Sequence, residues 1–160
     1  MSKNNVKRME RELLKGVKMI AMLAPSFVVE FSYPEIISKL KKIGFDKIVE
    51  LTFGAKMINR EYHKILENSN KLVISSVCPG VVETIKKSFP QYAKNIIKVD
   101  SPMIATGKIC KKAYPLHKIV FISPCDFKKV EAERSKYVDY IIDYEQLKKI
   151  ISEKEWKESC

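Results

Sequence analysis

Val17-Lys18-Met19-Ile20-Ala21-Met22-Leu23-Ala24 runs directly into Pro25-Ser26. A short, nearly continuous apolar run of this kind has the signature of a strand buried on both faces. Four further runs, at residues 47–51, 72–76, 119–123 and 138–142, repeat it. The segments between them have helical period. Ser32-Tyr33-Pro34-Glu35 has the form of a capping box, after which Ile36, Ile37 and Leu40 share one face until Gly44 stops the helix. Ile58, Tyr62, Ile65 and Leu66 form a second stripe; Val81, Val82, Ile85 and Phe89 a third, ended by Pro90; and Leu147, Ile150 and Ile151 a fourth after Asp143. Before the first strand, residues 1–16 read as a charged helical extension, with Met9, Leu13 and Leu14 on one side and Gly16 at a left-handed cap. Strand and helix alternate, which predicts an α/β domain with a mostly parallel sheet and flanking helices over residues 17–160.

The composition agrees with one globular domain. A chain of 160 residues, 46% hydrophobic and 31% charged with only 5 Gly and 7 Pro, excludes disorder, collagen-like repeats and a disulfide scaffold. The net charge of +11 favours acidic partners, an anionic cofactor or nucleic acid. The lysine pairs at 41–42, 86–87, 111–112, 128–129 and 148–149 read mostly as solvated helix faces, and no nucleic-acid recognition motif accompanies them. The longest apolar stretch, residues 19–29, is broken at Pro25-Ser26 and falls short of the roughly 20 residues of a membrane span. With no apolar signal segment and scattered cysteines, the expected setting is cytoplasmic and reduced.

In open parallel sheets ligands bind beyond the carboxyl ends of the strands. Three loops there turn at a proline: Ala24-Pro25-Ser26, Ser75-Ser76-Val77-Cys78-Pro79-Gly80 and Ser123-Pro124-Cys125-Asp126-Phe127-Lys128-Lys129. A cysteine at a strand-to-helix turn meets free N–H groups and the positive end of a helix dipole, surroundings that favour a nucleophilic or metal-binding thiolate. Lys128 adds positive charge suited to an anionic cluster or substrate. Two cysteines alone fall short of the four ligands of most zinc and iron-sulfur sites, so buried or idle thiols remain the alternative. Cys110 reads as a core residue beside Met103, Gly107 and Tyr114, and Cys160 as a tail. His63 and His117 lack the paired spacing of a zinc helix and read as surface or boundary residues.

These motifs resemble the hydrogen-cluster domain of iron-iron hydrogenases. The resemblance rests on Ser75-Ser76-Val77-Cys78-Pro79-Gly80 and on Pro124-Cys125-Asp126-Phe127-Lys128-Lys129-Val130-Glu131-Ala132, with support from Ala24-Pro25-Ser26, Lys41-Lys42-Ile43-Gly44-Phe45-Asp46, Phe53-Gly54-Ala55 and Ser101-Pro102-Met103. It implies that Cys78 and Cys125 match two of the four cysteines holding a 4Fe-4S cubane. Lys128 matches a lysine that hydrogen-bonds a cyanide of the attached diiron unit, and Pro25, Ser26 and Met103 fall at positions lining that pocket. The family's third motif, a Cys-x-x-x-Cys segment that includes the bridging ligand, is absent before Cys160. The expectation is therefore a domain incomplete at its C-terminus, without a protein bridge to a diiron unit. Val77 stands where the family has a proton-relay cysteine, and Tyr62 and Ile65 where the relay's carboxylates fall. The resemblance is thus closer to the sensory branch than to the ferredoxin-coupled catalysts. The implied role is iron-sulfur binding in redox sensing or electron transfer, with missing ligands from a second copy or another polypeptide and a ferredoxin-like electron partner. The rival readings are a fragment of a catalytic hydrogenase and a basic α/β binding module that has lost its cluster.

Overall fold

Each residue of β1 (Met19–Leu23) is buried, as a doubly covered strand requires. In this computed structural model, which describes residues 3–159, β1 lies between β2 (Lys47–Glu50) and β3 (Lys118–Ile122), and β3 pairs in turn with β4 (Tyr140–Ile142). The order is β2-β1-β3-β4 and all pairings are parallel, with Ile20 opposite Lys47, Met19 opposite Lys118 and Val120 opposite Tyr140. Parallel neighbours cannot be joined by a tight turn, so helices fill the crossovers. They are α2 (Phe27–Glu30) and α3 (Glu35–Ile43) after β1, and α7 (Asp126–Glu133) after β3. The long excursion after β2 holds α4 (Thr52–Glu67), α5 (Pro79–Ser88), a 3-10 helix (Pro90–Asn95) and α6 (Pro102–Ala113). α1 (Lys3–Leu14) precedes the sheet and α8 (Tyr144–Ser159) follows it.

The two-residue period of the strands divides the core into two layers. Met19, Ala21 and Leu23 join Val120, Ile122 and Ile142 on one face, where Met9 of α1, Leu40 of α3 and Leu147 of α8 complete the cluster. Ile20 and Met22 join Ile119, Phe121 and Ile141 on the other, against Met103 and Cys110 of α6 and Ala132 of α7. α8 starts at a reciprocal cap: Asp143 accepts from the Gln146 N–H at 2.8 Å while the Gln146 side chain accepts from the Asp143 N–H at 3.0 Å.

α1 ends as Gly16 predicts, at φ +78°, with the Gly16 N–H donating to Leu13 and the Val17 N–H to Glu12. Its buried stripe runs through Met9 with Val6 and Leu13 beside it, while Leu14 turns out to solvent. Lys118 at the start of β3 reaches Glu12 at 2.6 Å and so ties this helix to the sheet.

Two local expectations are corrected. Residues 72–76 do not enter the sheet: Ile74 makes one isolated parallel bridge with Ile96, and Leu72 is 61% exposed. The segment at 95–97 takes up the backbone groups, since the Ile74 N–H donates to Asn95 and the Ile97 N–H to Ile74, both at 2.8 Å. The capping box at Ser32 does not form either. Pro34 occupies the cap position without a side-chain bond, and the Ile36 N–H donates to the Ser32 carbonyl instead.

The Lys118 ammonium hydrogen-bonded to Glu12 holds that carboxyl below the ordinary carboxylate range. A depressed folded value contributes stability that is complete above the unfolded value and is lost as pH falls through the folded one. Glu12→Gln should therefore lower stability at neutral pH and flatten its decline below about pH 4, read from urea midpoints along a pH series. A second expectation concerns the contact of α4 with α6. A methyl group at Gly54 would lie 2.0 Å from Thr106 Oγ1 and 3.0 Å from the Pro102 carbonyl oxygen. Gly54→Ala should cost about 1–3 kcal/mol in equilibrium denaturation.

Candidate functional site

Cys125 follows the carboxyl end of β3 and caps α7, with φ −92° and ψ 114°. Cys78 caps α5 in nearly the same conformation, φ −97° and ψ 110°. Each is a free, partly exposed thiol at the start of a helix, as the sequence predicts. Cys78 reaches that position from the bridge segment at Ile74 rather than from a strand of the sheet.

Two contacts join the loops. The Lys128 ammonium donates to the Val77 carbonyl at 2.9 Å, one residue before Cys78, and pairs with Glu131 at 2.5 Å. Its side chain is only 13% exposed, so an unpaired charge there would be costly and both partners matter. The Phe127 ring lies directly against Gly80, where an added Cβ would come within 2.8 Å of it. Only glycine allows that approach. The two cysteine loops are thus held together by two adjacent residues in the first turn of α7, Phe127 against Gly80 and Lys128 on the Val77 carbonyl.

A hydroxyl network braces the Cys78 loop from behind. Tyr62 OH accepts from the Ser76 N–H at 2.8 Å and bonds Ser76 Oγ at 2.9 Å, Ser75 Oγ donates to it at 3.3 Å, and Ser76 Oγ donates to the Val99 carbonyl at 2.9 Å. Tyr62 therefore does work that its apolar helical stripe does not disclose. The pairs Phe127 with Gly80 and Lys128 with the Val77 carbonyl are equally invisible in the chain, because they join residues about 50 positions apart through shape and a backbone oxygen.

The other site candidates are distributed unevenly. Pro25 and Ser26 leave β1 beside the Cys125 loop, since the Ala24 N–H donates to the Ile122 carbonyl, and Ser26 Oγ bonds Tyr144 OH at 2.7 Å. Both lie at the exposed carboxyl edge. Met103 is fully buried in the core layer of α6. Cys110 is buried there too, and burial pushes its thiol pKa up, which suits an inert packing residue. His63 is exposed; His117 is buried and bonds Asp46 at 2.7 Å, and that contact holds the Asp46 carboxyl below its ordinary range. Cys160 lies outside the described residues.

Among the described residues no group of three or more His, Cys, Asp or Glu is placed to hold a metal ion. The donor set at the two loops is therefore two thiols and a nearby cation. By itself it does not fit a cluster that takes four thiolates. The edge around it is apolar: Val28 and Val29 beyond β1, Phe53 beyond β2 and Phe127 beyond β3 are all more than half exposed.

The fold and these loops have known counterparts. Residues 17–159 match the family described as iron only hydrogenase large subunit, C-terminal domain, and the chain belongs to that family. It is 30% identical over 139 residues to iron hydrogenase 1 of Clostridium pasteurianum, covering 74% of this chain and 24% of that protein. A cytosolic Fe-S cluster assembly factor of Kluyveromyces lactis is 38% identical over 82 residues, 49% of this chain and 17% of that protein. Among solved structures, an iron-iron hydrogenase of Chlamydomonas reinhardtii superposes with a TM-score of 0.74 at 20% identity, over 94% of this chain and 47% of that one, which shows the shared fold. The chain thus spans less than half the length of each of these relatives. No helix among the described residues is long and apolar enough to cross a membrane.

Tyr62→Phe removes the acceptor of the partly buried Ser76 N–H while keeping the ring. It should cost about 1–2 kcal/mol and speed amide exchange at Ser76, measured by denaturation and by hydrogen exchange.

Proposed function

We propose that this chain is an iron-sulfur domain in which Cys78 and Cys125 give two thiolates to a 4Fe-4S cluster, serving electron transfer or redox sensing rather than hydrogen turnover in a reduced, cytoplasmic setting. The observation that carries this reading is the Lys128 bridge, which fixes the Cys125 helix to the backbone beside Cys78 and keeps a cation between two thiol loops. A cluster would supply one-electron chemistry, and Cys78 and Cys125 would be the chain's own ligands to it. Val77, where the family carries a relay cysteine, has no group able to move a proton, which favours a role without turnover.

The two remaining ligands would come from outside residues 1–160, and a second polypeptide or a second copy of the chain can supply them. Val28, Val29, Phe53 and Phe127, in segments that follow the carboxyl ends of β1, β2 and β3, are exposed surface that a partner would cover. The similarity of this chain to an iron hydrogenase and to a cytosolic Fe-S cluster assembly factor supports an iron-sulfur role.

Anaerobic reconstitution with iron and sulfide, followed by metal and sulfide counts and a visible spectrum, tests this. Bound iron with charge-transfer absorbance should accompany the wild type and disappear in Cys78→Ala/Cys125→Ala. Size exclusion should place the colour in a dimer or in a complex with an added partner. Colourless, iron-free and folded protein under all these conditions would instead identify a basic binding module that kept the fold without the cofactor.

A further inference from the structure

Between α5, α6 and the end of α7 runs an open groove of about 620 Å³. It begins at Ser76 and Pro79 of the Cys78 loop and runs on to the segment after α7. Val82, Ile104 and Val130, one from each of the three helices, are half-buried along it. Its far wall is Tyr137, which packs so closely on α6 that a Cβ at Gly107 would meet the Tyr137 carbonyl oxygen at 3.0 Å. That wall is therefore built into the fold.

The rim is cationic. Lys86, Lys108, Arg134 and Lys136 line the groove with Glu83, Asp100 and Glu131. Each carboxylate is already engaged: Glu83 with Arg134 at 2.8 Å, Asp100 with Lys108 at 2.5 Å and Glu131 with Lys128 at 2.5 Å. Lys86 and Lys136 are left without a carboxylate partner among the described residues. Lys108 and Lys136 also sit over the Tyr137 ring, 5.3 and 5.5 Å from its centroid. Two ammonium groups are thus held around one aromatic wall at the end of an apolar trough.

We propose that this groove is a docking site for an acidic, partly apolar peptide segment of a partner protein. Apolar side chains of the segment fill the trough between Val82, Ile104 and Val130, and its carboxylates meet Lys86 and Lys136. The Tyr137 ring, half-buried between lysines, offers no platform for stacking bases, which favours a peptide over a nucleic acid. The match of charge sets orientation and encounter rate, while the apolar trough supplies specificity beyond net charge. The groove borders the cysteine site through Ser76, Pro79 and Glu131, but the proposal does not require a cluster.

The test uses the full chain and a labelled peptide built from Glu-Glu-Leu repeats, with binding read by fluorescence anisotropy. Micromolar binding is expected, weakening as salt rises. Lys86→Glu/Lys136→Glu should weaken it at least about tenfold, whereas Lys15→Glu/Lys56→Glu, the same charge change at exposed positions elsewhere, should alter it by less than about twofold. Should the first variant misfold by circular dichroism, Lys86→Ala/Lys136→Ala carries the same comparison with a smaller loss. Absence of binding to wild type, or equal losses in groove and control variants, overturns the proposal. So does a single-stranded oligonucleotide that displaces the peptide and binds the same lysines more tightly, which would make the groove a nucleic-acid surface.

Discussion

β1 has neighbours on both sides and helices over both faces, so its peptide groups have no water to bond with and depend on β2 and β3 for partners. That constraint orders the rest of the molecule. Parallel pairing forces a helical crossover between successive strands, and the crossovers supply the two apolar layers that bury the strands. It also gathers the strand ends. The ladder continues past the strands, from the Ala24 N–H to Ile122 and from the Ser123 N–H to Ile142, so the Pro25 and Cys125 loops leave the sheet already fixed in place.

The Cys78 loop obtains its position differently. It descends from a two-bond bridge, and the helices around it are thinly covered, with Leu66, Val81 and Phe89 facing solvent. Its anchors are side chains: Tyr62 and the two serines from behind, Lys128 and Phe127 from the front. One cysteine is therefore set by sheet hydrogen bonding and the other by a polar network and one aromatic contact.

The electrostatics follow the same division. Lys128 and Glu131 neutralise one another between the loops, and Lys129 pairs with Asp126 and Asp143 behind Cys125. Farther out, Lys86 on α5 and Lys136 just after α7 flank the groove. The domain thus presents an apolar edge around its thiols and a cationic flank beside them. Two such unlike surfaces suit partners of different chemistry.

The alternation of doubly apolar runs with amphipathic stripes was enough to specify a parallel α/β sheet, because burial on two faces and on one face leave different periods in the chain. Gly16 and the caps of α5 and α7 were legible for a similar reason, since local backbone geometry restricts the residues allowed. The motifs around Cys78 and Cys125 also identified the family. Residues 72–76 resembled another strand, and only the competing backbone of 95–97 and the exposure of Leu72 kept them out of the sheet. Met103, on the same helical stripe as Cys110, lies in the core as that stripe suggested. The sequence brought the two cysteine loops to one edge, but the contacts that join them were decided by folding alone: a lysine reaching a carbonyl 51 positions away and a ring resting on a glycine depend on complementary shape, which leaves no period and no local signal in the order of residues.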